Sequence, residues 1–128
     1  MRPYSKLTIK KIDVPEKNEL EEQIRWFAEC FDLDNEIFKE LFEKGKNGLR
    51  TSNIASKTSR SKSTVLYKLN KLMDTGIVVK KGTMYYLRSN SFERSIEEVE
   101  EDVERMFKRM KEIAKNIDEQ KGREIKIN

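Results

Sequence analysis

The chain has 128 residues, 36% apolar and 39% charged, with a formal net charge of +4, one cysteine and no histidine. This suits one domain with a small core, and the lack of histidine excludes His/Cys zinc sites and any His-based triad or proton shuttle within one chain. Cys30 alone builds no disulfide framework, no apolar run approaches a membrane span of ~18 residues, and Met1-Arg2-Pro3-Tyr4 lacks a secretion core, so a cytoplasmic protein is expected.

Leu7-Thr8-Ile9-Lys10-Lys11-Ile12-Asp13-Val14 contains β-branched residues, ends at Pro15 and reads as an edge strand or extended arm. A helix is expected from about Asn18, where Leu20, Ile24, Phe27 and Phe31 follow 4-3-4 spacing, widened by Trp26 and Ala28. Residues 1–33 thus form an N-terminal arm and helix. Asp32-Leu33-Asp34-Asn35 breaks the pattern, and Asp34 supplies an N-cap for a second helix with Ile37, Phe38, Leu41 and Phe42 on one face. The aromatics are expected in the core, and Cys30 as a buried small residue.

Leu49-Arg50 can form a short strand, and Thr51 is a candidate N-cap for a brief helix through Ile54, Ala55 and Lys57. After the polar turn Thr58-Ser59-Arg60, a helix starts at Ser61 or Lys62 and runs to Asp74, with Gly76 as its stop. Ile77-Val78-Val79 and Met84-Tyr85-Tyr86-Leu87 then frame a hairpin with the basic tip Lys80-Lys81-Gly82-Thr83. Charge is concentrated in this region: residues 44–88 hold eleven Lys/Arg and one acid, Asp74, a net of +10, while both flanks are acidic. A segregated positive block is the footprint of a polyanion-binding surface, because each cation brought to a phosphate releases a condensed counterion.

Thr51, Ile54-Ala55, Ser63-Thr64-Val65, Leu69, Leu72, Asp74-Thr75-Gly76-Ile77-Val78 and the hairpin after them carry a likeness. The stretch from Leu49 to Leu87 resembles the winged helix-turn-helix of prokaryotic and archaeal transcription regulators, of the MarR-like broad type. Two positions depart from that pattern: Ser59 stands where glycine is usual, and Arg60 where an apolar residue follows. The resemblance implies a mainly α chain with a small β-hairpin (α+β), its winged helix-turn-helix spanning 34–90.

Counting 100° per residue from Val65, the side chains of Val65, Leu69, Leu72 and Met73 cluster toward the core. The opposite face carries Ser63, Thr64, Tyr67, Asn70 and Lys71, with Lys68 on its flank. Small polar residues near the helix start allow close approach to a groove, and the longer ones reach base edges or phosphates. Arg60, Lys62 and the helix N-terminus are expected to hold a flanking phosphate, and Ser61 counts among the DNA-contacting residues. The wing would add Lys80, Lys81 and Thr83, with Arg88 as a further candidate. No arginine lies at the centre of the recognition face, so modest base specificity with a large backbone component is expected.

Residues 91–128 are expected to form a C-terminal helix and tail. Phe92, Ile96, Val99, Val103, Met106, Met110, Ile113 and Ile117 recur at 4-3-4-3-4-3-4 spacing, a heptad seam expected to pair two copies, the alternative being a long helix that covers the N-terminal helices of its own chain. Seven acids and two arginines occupy 93–105, whereas 106–117 holds four bases and Glu112, which favours antiparallel over parallel pairing. Arg123-Glu124-Ile125-Lys126-Ile127 alternates like a strand and is a candidate partner for Leu7–Val14, within or between chains.

The resulting expectation is a homodimeric transcription regulator of double-stranded DNA, sequence-specific or semi-specific. The alternative is a winged-helix scaffold or interaction module in an RNA- or protein-containing complex. No catalytic residues, metal site or cofactor are expected, and no effector site stands out.

Overall fold

The computed structural model describes Ile9 and residues 19–127, the side chains of 124–127 excepted. The expected strand over 7–14 (Ile9 apart) and the helix start at Asn18 therefore lie outside the described residues. In chain order the elements are α1 (Leu20–Cys30), α2 (Asn35–Lys44), α3 (Thr51–Thr58), α4 (Lys62–Asp74), β1 (Val78–Lys81), β2 (Met84–Leu87) and α5 (Phe92–Ile127). The chain is mainly helical, with one small antiparallel hairpin and a long C-terminal helix.

The core gathers one face from each element. Ile24 and Ala28 of α1 meet Ile37, Phe38 and Leu41 of α2, Ile54 and Ala55 of α3, and Val65, Leu69 and Leu72 of α4; Val78, Tyr85 and Leu87 of the hairpin and Val99 of α5 complete it. Each large aliphatic or aromatic side chain so buried stabilises the fold by about 1.5–3 kcal/mol. Cys30 is buried as expected, but the aromatics divide: Phe38 is buried, Phe27 half-buried, and Phe42 exposed at the rim.

Local chemistry sets the element ends. Asp32 turns the chain out of α1 at φ 54°. Asp34 then caps α2, its Oδ1 accepting from the amides of Glu36 (3.0 Å) and Ile37 (3.1 Å). Thr51 does not cap α3. Leu49 pairs with Tyr85 through two backbone bonds of 2.7 and 2.9 Å, which leaves Arg50 extended at the N-cap and Thr51 as the first helical residue. Leu49 is thus an isolated bridge onto the hairpin. Ser61 caps α4 by accepting from the Thr64 amide at 3.1 Å.

In the hairpin Val78 pairs with Leu87, Val79 with Tyr86, Lys80 with Tyr85 and Lys81 with Met84. Its two-residue loop needs positive φ at the first position, which Gly82 supplies at 62°. At the base, the Leu87 amide donates to the Gly45 carbonyl at 2.9 Å. A Cβ on Gly45 would lie 2.4 Å from Leu41 O and 2.9 Å from Leu87 Cγ, so only glycine lets α2 end this close to β2.

Helix α5 corrects two expectations. The tail over 123–127 is helical, not a strand: once a long helix exists, each added residue gains a hydrogen bond for little further cost, and two isoleucines in alternation do not outweigh that. The heptad seam also splits. Val99 lies in the chain's own core, with Phe92, Ile96 and Val103 half-buried against it, so these four of the eight expected dimer contacts are already covered. Arg88 anchors this first half of α5, its Nε 3.1 Å from Glu98 and its Nη1 2.6 Å from Asp102.

Candidate nucleic-acid interface

The α3–α4 connection aims α4 outward. Ser59 occupies the left-handed region at φ 56°, ψ 35°, a conformation that glycine adopts without strain. Arg60 is held inward by Asp34 and Glu36 at the start of α2, both at 3.2 Å. Two ion pairs thus tie the α3–α4 connection to the start of α2. Arg60 is thereby committed within the chain, against its expected role toward a phosphate.

On α4, Val65, Leu69 and Leu72 are fully buried and Met73 half-buried, as the helical wheel requires. Ser61, Lys62, Ser63, Thr64, Tyr67 and Asn70 are exposed, while Lys68 and Lys71 are half-exposed. Part of the Ser61 hydroxyl's capacity is spent locally, since it also donates to Thr64 Oγ1 at 2.8 Å. Tyr67, 60% exposed, has two ammonium groups near its ring, with Lys68 Nζ 6.0 Å and Lys71 Nζ 5.6 Å from the centroid. At the hairpin tip Lys80 lies 5.5 Å from the Tyr85 ring and Lys81 5.6 Å from that of Tyr86. Lys80, Lys81 and Thr83 are all exposed.

Ion pairing sorts the basic block into two groups. Lys57 reaches Glu40 at 2.5 Å and Lys44 reaches the same carboxylate at 3.9 Å; the hydrogen bond to Glu40 pushes the Lys57 ammonium above its ordinary pKa. Arg88 has a side chain only 4% exposed, between Glu98 and Asp102, which removes it as a candidate contact. These cations, with Arg60, neutralise acids of the chain itself. Lys46, Arg50, Lys62, Lys68, Lys71, Lys80 and Lys81 have no acidic partner among the described residues.

No protein-family model matches the chain, and no curated protein or solved structure matches it either. Among the described residues no cluster of acids or cysteine could hold a metal ion, and no helix is long and apolar enough to cross a membrane. Leu66 is apolar yet 41% exposed beside Tyr67; its place 100° from Val65, at the edge of the core-facing cluster, is the signal that marks it. Lys46 and Arg50 are exposed members of the basic block that the motif pattern does not single out.

Proposed function

We propose that this chain is a winged helix-turn-helix protein that binds double-stranded DNA and regulates transcription as a homodimer. In this reading α3 and α4 are the helix-turn-helix, α4 enters the major groove, and the β1–β2 hairpin is the wing, with Leu49 as its short third strand. The observation that carries it is the set Lys62, Lys68, Lys71, Lys80 and Lys81: cations without an acidic partner among the described residues, on the exposed side of α4 and at the hairpin tip. A solvated structural surface tends to intersperse such charges with acids, as α1, α2 and α5 do here.

Ser63, Thr64 and Asn70 offer hydrogen-bonding groups to base edges. The Tyr67 ring, with two lysines near it, suits a sugar–phosphate edge or an unstacked base. The capped N-terminus of α4 presents its first-turn amides to a phosphate.

The test is a fluorescence-anisotropy titration of random-sequence duplex DNA at several salt concentrations, with matched duplex RNA alongside. Steeply salt-dependent DNA binding that exceeds RNA binding is expected. Lys71→Ala and Lys80→Ala should each weaken binding to all sequences alike and flatten the salt slope by about one unit. An unchanged slope in both variants, or a preference for RNA, would overturn the reading.

A further inference from the structure

Helix α5 changes character along its length. As far as Val103 its apolar residues lie on the chain's own core, but Met106, Phe107, Met110, Ile113 and Ile117 are 48%, 55%, 53%, 47% and 60% exposed. They form one stripe, and an apolar face of this size on a charged helix needs a cover.

An open apolar groove of about 380 Å³ lies at the other end of the same helix, lined mainly by Leu20, Ile24, Phe27, Phe38, Phe42 and Phe92. Leu20 and Phe42 on its rim are 56% and 40% exposed. Inside, the Phe92 ring stands edge-on to Phe27 at 4.9 Å and lies 6.1 Å from Phe42. The chain cannot fill the groove with its own stripe: α5 is continuous, and at ~1.5 Å per residue Ile113 lies about 30 Å from Phe92.

Charge and register both point to a second copy. Helix α1, which gives Leu20, Ile24 and Phe27 to the groove, carries with its cap an acidic excess on its other faces, Glu19, Glu21, Glu22 and Glu29 against Arg25, whereas 106–117 carries Lys108, Arg109, Lys111 and Lys115 against Glu112. Pairing two 106–117 segments with each other would instead oppose like charges. Antiparallel α5 helices centred between Asp102 and Val103 place Ile113 of one copy beside Phe92 of the partner subunit, and the same pairing recurs seven residues on, with Met106 beside Val99 of the partner subunit.

We propose that the Met106–Ile117 stripe of each copy docks into the α1–α2–α5 groove of the other, reciprocally, about a two-fold axis. This rests on the homodimer reading and names the surfaces that build it. The dimer contact is then stripe into groove, not a free coiled-coil seam along the whole of α5.

Two full-length variants test it, Phe42→Cys and Ile113→Cys, each carrying Cys30→Ala so that one thiol remains. Both sites are exposed, so the fold tolerates them. The variants are mixed, treated with a short bismaleimide and resolved by mass, while light scattering gives the mass of the unmodified protein. A dimer with crosslinks between position 42 of one chain and 113 of the other is expected. A dimer crosslinked only between the two 113 positions would overturn groove docking and leave the homodimer standing. A monomer at micromolar concentration would overturn both, and would leave the groove to residues 1–18 or a small apolar ligand.

Discussion

Asp102 sits where the hairpin, the long helix and the core meet, its side chain 1% exposed between Arg88 and Arg105. Replacing a buried ion pair with well-packed apolar residues often costs nothing, but removing one partner strands the other in a low-dielectric site. Arg88, itself 4% exposed, would lose its 2.6 Å partner while remaining buried beside Glu98. Asp102→Ala is therefore expected to destabilise the protein by about 3 kcal/mol and lower the thermal midpoint by about 10 °C. The double variant Arg88→Met/Asp102→Leu should recover most of that loss. A single variant as stable as the parent would show that Arg88 finds water or another acid. The same logic separates Arg60 and Lys57, which serve the fold, from Lys71 and Lys80, which pair with no acid among the described residues.

Among the elements, the α3–α4 connection stores strain. A non-glycine residue in the left-handed region costs on the order of 1 kcal/mol, and Ser59 adopts it at φ 56°. Ser59→Gly relieves that strain and loses part of the gain to the flexibility of the unfolded chain, so a net stabilisation of about 0.5 kcal/mol is expected. It would be read as a higher urea midpoint with an unchanged m value; a lower midpoint would mean that the serine makes a contact worth more than the strain. Most of α4 was legible in the sequence because burial follows helical period: Val65, Leu69 and Leu72 point inward and the polar set outward. The hairpin was legible from Gly82 between two β-rich runs. Other features escaped because long-range contacts decide them. Thr51 lost its capping role to the Leu49–Tyr85 bridge, 36 residues apart in sequence. The heptad pattern located an apolar stripe on α5 but not its cover, so Phe92, Ile96, Val99 and Val103 looked the same as Met106 to Ile117. The commitment of Arg60 and Arg88 to acids of this chain has no local signature at all.

At the scale of the molecule, charge is partitioned by partner. Acids of α1, α2 and α5 absorb the cations needed for folding, and those left over lie along α4, the hairpin tip and the α2–α3 connection. In the proposed dimer the stretch of α5 from Phe92 to Ile113 also acts as a ruler between the two basic faces. Each residue adds about 1.5 Å, so seven inserted between Val103 and Met106 lengthen the ruler by about 10 Å while bringing the stripe back to the same side. Such a variant should remain dimeric and shift its preferred half-site separation by about three base pairs, measured on duplexes that differ only in spacer length. An unaltered preference would mean that something other than this helix sets the gauge. On this view the spacing of the target can be retuned by whole heptads without changing a single residue that touches DNA.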